Sequence, residues 1–189
     1  LALLLAGATA GAAEPKLKPF VLASRGAGDP AQIAEGVRAK LAAAGFEVVG
    51  SYLPYAGAVV LAVTSPDLKA VAAQQRFGGY AAAQRVSVTK VGDEVQVAFT
   101  NPVYMAAGYR MGADLAPIGA KLGAALGRLE DYGPPEGKSA KALRGYHYMM
   151  SMPYFDDPWR LARYASQAEA IAAVERGLAD GKGRTKKVY

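Results

Sequence analysis

The segment from Gly145 to Phe155 reads Gly-Tyr-His-Tyr-Met-Met-Ser-Met-Pro-Tyr-Phe. It holds the one histidine of this 189-residue chain and three of its five methionines. Imidazole and thioether are donors suited to a soft cation such as Cu(I). Read as a strand, the segment places His147, Met149 and Ser151 on one face and Tyr146, Tyr148, Met150 and Met152 on the other. Residues two apart on a strand face are roughly 6 to 7 Å apart, so His147 and Met149 would face one metal, with Met105 and Met111 completing the set. Haem is a second cofactor such a segment would serve, with His147 as an axial ligand between aromatic walls. No Cys-x-x-Cys-His occurs, which excludes covalent haem attachment. The competing explanation is packing: methionines and tyrosines that alternate along a strand also fill a core, with His147 hydrogen-bonded at its edge.

Tyr104, Tyr109 and Arg110 form a second candidate surface, where aromatic rings and a guanidinium would hold a small anionic ligand. Tyr146 and Tyr148 would extend it. The 101–111 segment that carries the first three reads as a loop, with Gly108 and Gly112 giving it freedom to bend, and a loop packed across a sheet edge is the plainer alternative. Asp156-Asp157 before Pro158 offers carboxylates, but without calcium-loop spacing, and turn chemistry explains the pair. Signatures of established catalytic sites are absent: no Gly-x-Ser-x-Gly, no His-Glu-x-x-His, no phosphate-binding glycine loop and no cysteine nucleophile. An envelope enzyme that works with carboxylates alone would leave no such mark.

Regular elements must position these residues. Pro19 to Arg25 reads as a strand, and Asp29-Pro30 then caps a helix over 30–44, whose stripe is Ile33, Val37 and Leu41 and whose left-handed stop is Gly45. Phe46 to Tyr52 and Ala58 to Val63 follow as strands, and Ser65-Pro66-Asp67 opens a second helix. The clearest hairpin pairs Arg85 to Val91 with Val95 to Phe99 across Gly92-Asp93. Leu115, Ile118, Leu122, Leu126 and Leu129 keep one helical face apolar behind Asp114. Gly133 to Gly137 reads as a linker. Beyond it come the 145–155 strand, a helix capped by Ser166 with Glu169 and a stripe of Ile171, Val174 and Leu178, and a last strand from Thr185 that stops abruptly, as though clipped.

Leu1 to Ala13 is uncharged and ends in small residues, the apolar core and cleavage region of a secretory signal peptide. It is shorter than the about 20 residues that cross a bilayer. The reading therefore expects export, a periplasmic or secreted protein with no membrane span after cleavage near Ala12 or Ala13, and a precursor that starts before Leu1. With no cysteine in the chain, stability comes from core burial without disulfides, which suits a bacterial periplasm, and a lipid anchor is excluded. The net charge of +6 permits an anionic partner. Nucleic acid is a poor one, because basic residues are scattered among carboxylates, and the run Lys182, Arg184, Lys186, Lys187 reads as a solvated loop.

The order strand, capped helix, two strands, helix and hairpin, with Gly45-Phe46-x-Val48 closing the first helix and Phe99-Thr100-Asn101-Pro102 closing the hairpin, resembles the α+β family known as domain of unknown function 302. The likeness covers residues 20–129, and Thr100 stands where that family tends to carry glycine. It implies a fold and no catalytic residues.

The expectation is thus an α+β two-layer sandwich, a mainly antiparallel sheet with helices on one face. It comprises a signal remnant (1–13), a main domain (14–132) and a C-terminal strand-helix-strand unit (138–189). Functionally it reads as an exported, non-enzymatic binding protein with copper or haem as candidate cofactors. The alternative is a structural or protein-interaction module of the cell envelope, pairing with an envelope protein or as a homo-oligomer.

Overall fold

The computed structural model describes residues 14–76, 78–155 and 157–188. The signal-peptide reading of Leu1–Ala13 lies outside them. Six strands, β1 (Phe20–Gly26), β2 (Glu47–Tyr52), β3 (Ala58–Thr64), β4 (Gln84–Val91), β5 (Glu94–Thr100) and β6 (Glu130–Tyr132), form one sheet in the order β2-β3-β4-β5-β1-β6. Every pairing is antiparallel.

Strand alternation sorts the two faces. Leu61, Val86, Phe99 and Val21 stand opposite one another across β3, β4, β5 and β1 and are all buried. They meet Val37 and Leu41 of α1 (Pro30–Ala43) and Ile118, Leu122 and Leu126 of α4 (Ala116–Leu126) in one core. Each such side chain taken from water contributes about 1.5–3 kcal/mol. The row one residue along, Tyr52, Val60, Ser87, Ala98 and Leu22, turns to the opposite face, which no helix covers with a comparable layer. The α+β two-layer sandwich with helices on one face is therefore the architecture.

The caps act as local residue chemistry dictates. Asp29 Oδ1 accepts from the backbone of Ala31 and Gln32, and Gly45 ends α1 with φ +76°, where a residue without Cβ escapes the clash that others meet. Ser65 caps α2 (Pro66–Ala73) through Leu68 N–H.

Several expectations are corrected. The 101–111 segment is not a loop: Asn101 caps α3 (Pro102–Gly108), a helix too short to display an apolar period. The fourth helix ends at Leu126 because Gly127 takes φ +101°, so Leu129 falls outside it and leads into β6, a three-residue strand too short to show alternation. No strand forms over 145–155; α5 (Ala140–Arg144) precedes a series of turns there. Alternation prepares a strand only where a neighbouring edge supplies hydrogen bonds, and here turns satisfy the backbone, Tyr146 N–H on Leu143 O and Met152 N–H on Met149 O. Thr185–Val188 likewise forms no strand. Ser166 does cap α6 (Gln167–Ala179) through Glu169 N–H, but its stripe is not buried: Ile171 and Val174 are exposed and Leu178 is half-covered. Among the described residues, the C-terminal unit is therefore helix and turn rather than strand-helix-strand. It is tied to the rest by Leu143, buried where α5 packs on α3, and by the Leu17–Lys138 bridge. No helix of the described chain is long and apolar enough to cross a membrane.

Candidate functional site

The open face of the sheet carries a trough made of two hollows, of about 200 and 320 Å³, that meet at Tyr52, Arg85 and Thr100. Phe20, Val60, Ser87 and Ala98 wall the smaller one. Tyr80, Met105, Tyr109 and Val188 wall the larger. Together they fall in the size range of small-molecule sites.

Arg85 sits at the centre because it alternates with Val86 and Val88 on β4. Those two point into the core and Arg85 must point away, opposite Ala62 of β3. The backbone beneath is fixed by a buried polar relay: Gln84 Nε2 donates to Ala81 O at 3.1 Å, Thr100 Oγ1 donates to Gln84 Oε1 at 2.8 Å, and Arg85 N–H donates to Thr100 Oγ1 at 3.2 Å. Thr64 Oγ1 pins the same turn through Ala82 O at 2.6 Å. Tyr80 rides on a 3₁₀ turn, Gly78–Ala81, drawn so close to α2 that a Cβ on Gly78 would lie 2.1 Å from Ala72 O. Tyr109 closes the C-terminal end of α3 and stacks on Tyr80 with ring centroids 4.6 Å apart and planes 6° from parallel.

Among the described residues, no carboxylate lines either hollow and none pairs with Arg85. Burial raises the Tyr109 phenol above its ordinary pKa and Tyr80 adds to this, while the Arg85 charge pulls the other way. The trough thus presents the protonated Tyr109 phenol, π faces and one cation. Such a set receives anions and flat rings.

Of the residues singled out from sequence for ligand binding, Tyr109 lies in this trough and the other four lie elsewhere. Tyr104 lines a hollow of about 100 Å³ with Leu17, Pro19, Pro134 and Lys138, and burial, then Tyr146, raises its pKa. Arg110, at φ +53°, donates from Nε to Arg144 O at 2.6 Å and lies 4.7 Å over the Tyr154 ring. Tyr146 stacks on Phe155 at 6.0 Å beneath the Lys138 ammonium, and Tyr148 projects into solvent. Phe155 also meets Tyr109 edge-on at 6.0 Å, so an aromatic chain runs from the trough to the C-terminal turns.

The metal set expected from sequence is divided: Met149 stays beside His147, its carbonyl 2.7 Å from Nδ1, and its side chain is exposed, while the other two methionines lie elsewhere. Met111 is 2 % exposed and part of the core, where its burial reflects packing. Met105 faces the trough. His147 lines a separate hollow with Met152, Tyr154, Asp157 and Trp159, which shares no residue with the trough, so a haem held by His147 would not meet the trough's rings. Among the described residues, no three His, Cys, Asp or Glu side chains cluster as a metal site.

Arg85, Tyr52, Tyr80 and Thr100 were missed by sequence reasoning. The signal was present in β4, whose outward positions alternate Arg85, Ser87 and Thr89 against inward valines. Which outward residue sits in a hollow, however, depends on strand order.

Fold and site together define an α+β domain with a cationic, tyrosine-lined trough on its exposed sheet face. No protein-family model and no curated protein matches the chain. A solved structure, an uncharacterized conserved protein of the DUF302 group from Bacillus stearothermophilus, is similar to it at 20 % identity and a TM-score of 0.47, covering 57 % of this chain and 93 % of that one. This is the group that the sequence resembles.

Proposed function

We propose that this chain is an exported binding protein that takes a small aromatic anion in the trough around Arg85. The reading is carried by one observation: a guanidinium that pairs with no carboxylate among the described residues, set among tyrosines in a concave surface. An anionic group would pair with Arg85, while its ring lay against Tyr52. Export rests on the Leu1–Ala13 sequence, and amino-terminal sequencing of the protein from a periplasmic fraction tests it.

The binding reading is tested with 8-anilinonaphthalene-1-sulfonate, an aromatic anion whose fluorescence rises on binding. Charge-assisted hydrogen bonds contribute about 1.5–3 kcal/mol, so Arg85→Met, which keeps the apolar stem, is expected to weaken binding about tenfold to hundredfold. Equal affinity in that variant would refute the anion site. A second reading, an interaction module that pairs with itself or with an envelope protein, is favoured by the exposed apolar side chains of α6, Ile171 and Val174. Light scattering that gives a monomer at all concentrations tested would count against self-pairing.

A further inference from the structure

The methionines that packing would have explained are not packed. Met149, Met150 and Met152 are 58 %, 86 % and 47 % exposed, so three thioethers share one surface turn. The backbone around them is specifically arranged. Met149 O lies 2.7 Å from Nδ1 of His147 and accepts from Met152 N–H at 3.0 Å, so one carbonyl ties both residues. Because Nδ1 carries the proton that this carbonyl accepts, Nε2 keeps its lone pair free to bind a cation. His147 and Met152 line the same hollow of about 480 Å³. Between Met150 and Met152 the chain passes through Ser151 at φ +72°, a left-handed conformation costing on the order of 1 kcal/mol for a residue with a Cβ.

We propose that the 147–152 turn is a Cu(I) site, with Nε2 of His147 and Sδ of Met152, two residues that line one hollow, as ligands and an exposed thioether of Met149 or Met150 completing it. The donor set selects the ion: thioether and imidazole suit a soft monovalent cation. The one described carboxylate in the hollow, Asp157, has an oxygen already accepting from Tyr154 N–H at 2.8 Å. The site differs from the one expected from sequence: Met105 and Met111 take no part, and the turn brings Met152, which a strand would place on the opposite face, to the hollow of His147. It is independent of the anion trough.

The test is competition for Cu(I) against bicinchoninate under anaerobic conditions, using the whole chain. Wild type is expected to withdraw one Cu(I) per chain. His147→Ala and Met152→Leu should each weaken it about tenfold or more, whereas Asp157→Asn and Arg85→Met should leave it unchanged. The turn is exposed, and far-UV circular dichroism verifies that each variant is folded. No withdrawal by wild type would overturn the proposal. So would wild-type affinity in Met152→Leu, or a loss in Asp157→Asn as large as in Met152→Leu, which would indicate a harder cation held by the carboxylate.

Discussion

Asn101 is the joint on which the trough depends, and its replacement has a calculable cost. The residue is 3 % exposed, and its side chain works at both ends. Oδ1 accepts from Val103 N–H at 3.1 Å, capping α3, and Nδ2 donates to Lys18 O at 3.0 Å, tying that helix to the segment before β1. Asn101→Ala removes a cap worth about 1 kcal/mol and leaves the Lys18 carbonyl without its donor, a further about 1–2 kcal/mol. The expected total is about 2–3 kcal/mol. Asn101→Asp keeps the capping oxygen but sets a buried carboxylate oxygen against the Lys18 carbonyl, so it should cost at least as much as alanine. Urea unfolding followed by circular dichroism reads both: each midpoint should fall below wild type, aspartate no higher than alanine, with the slope unchanged. If alanine costs under about 0.5 kcal/mol, the size of an ordinary surface substitution, Asn101 does not hold the corner. If aspartate equals wild type, the Lys18 bond contributes nothing.

Two glycines should respond in opposite senses. At Gly127, φ is +101° and a Cβ would lie 2.6 Å from Ala23 O, so Gly127→Ala should lower the melting temperature. Gly36, inside α1 with open space about its Cβ position, should give about 0.5–1 kcal/mol of stabilisation as alanine, and thermal melts of the two variants compare them. Tyr104 and Tyr109 have phenol pKa values raised above 10.0 by burial. The folded state therefore keeps protons that the unfolded chain releases. Unfolding releases protons in this window, so stability should fall as pH rises above 10.0. In the Tyr104→Phe, Tyr109→Phe double variant the fall should be shallower, as followed by urea midpoints across that range.

Local chemistry made much of the fold legible. Asp29-Pro30, Ser65-Pro66 and Gly45 mark helix ends by hydrogen bonds made within a few residues, and the β4–β5 hairpin shows itself through valines that alternate across a tight turn. Where the outcome depended on distant partners, residue pattern misled. The 145–155 segment alternates like a strand yet lies against no sheet edge. The α6 stripe has helical spacing and meets no opposing layer among the described residues. α3 is short enough that its existence rests on Asn101 reaching a residue 83 positions away.

The same division runs through the site. Residue types alone determined that imidazole and thioether share one short segment, that tyrosines and arginine were available for an anion, and that no cysteine or familiar catalytic motif was present, because these are properties of composition and spacing. Tertiary structure decided that Arg85 rather than Arg110 faces the aromatic trough, that Met111 is core, and that Met152 stands beside His147. Those outcomes follow from strand order and from which backbone groups found partners across the sheet, interactions between residues far apart in the chain that no local window contains.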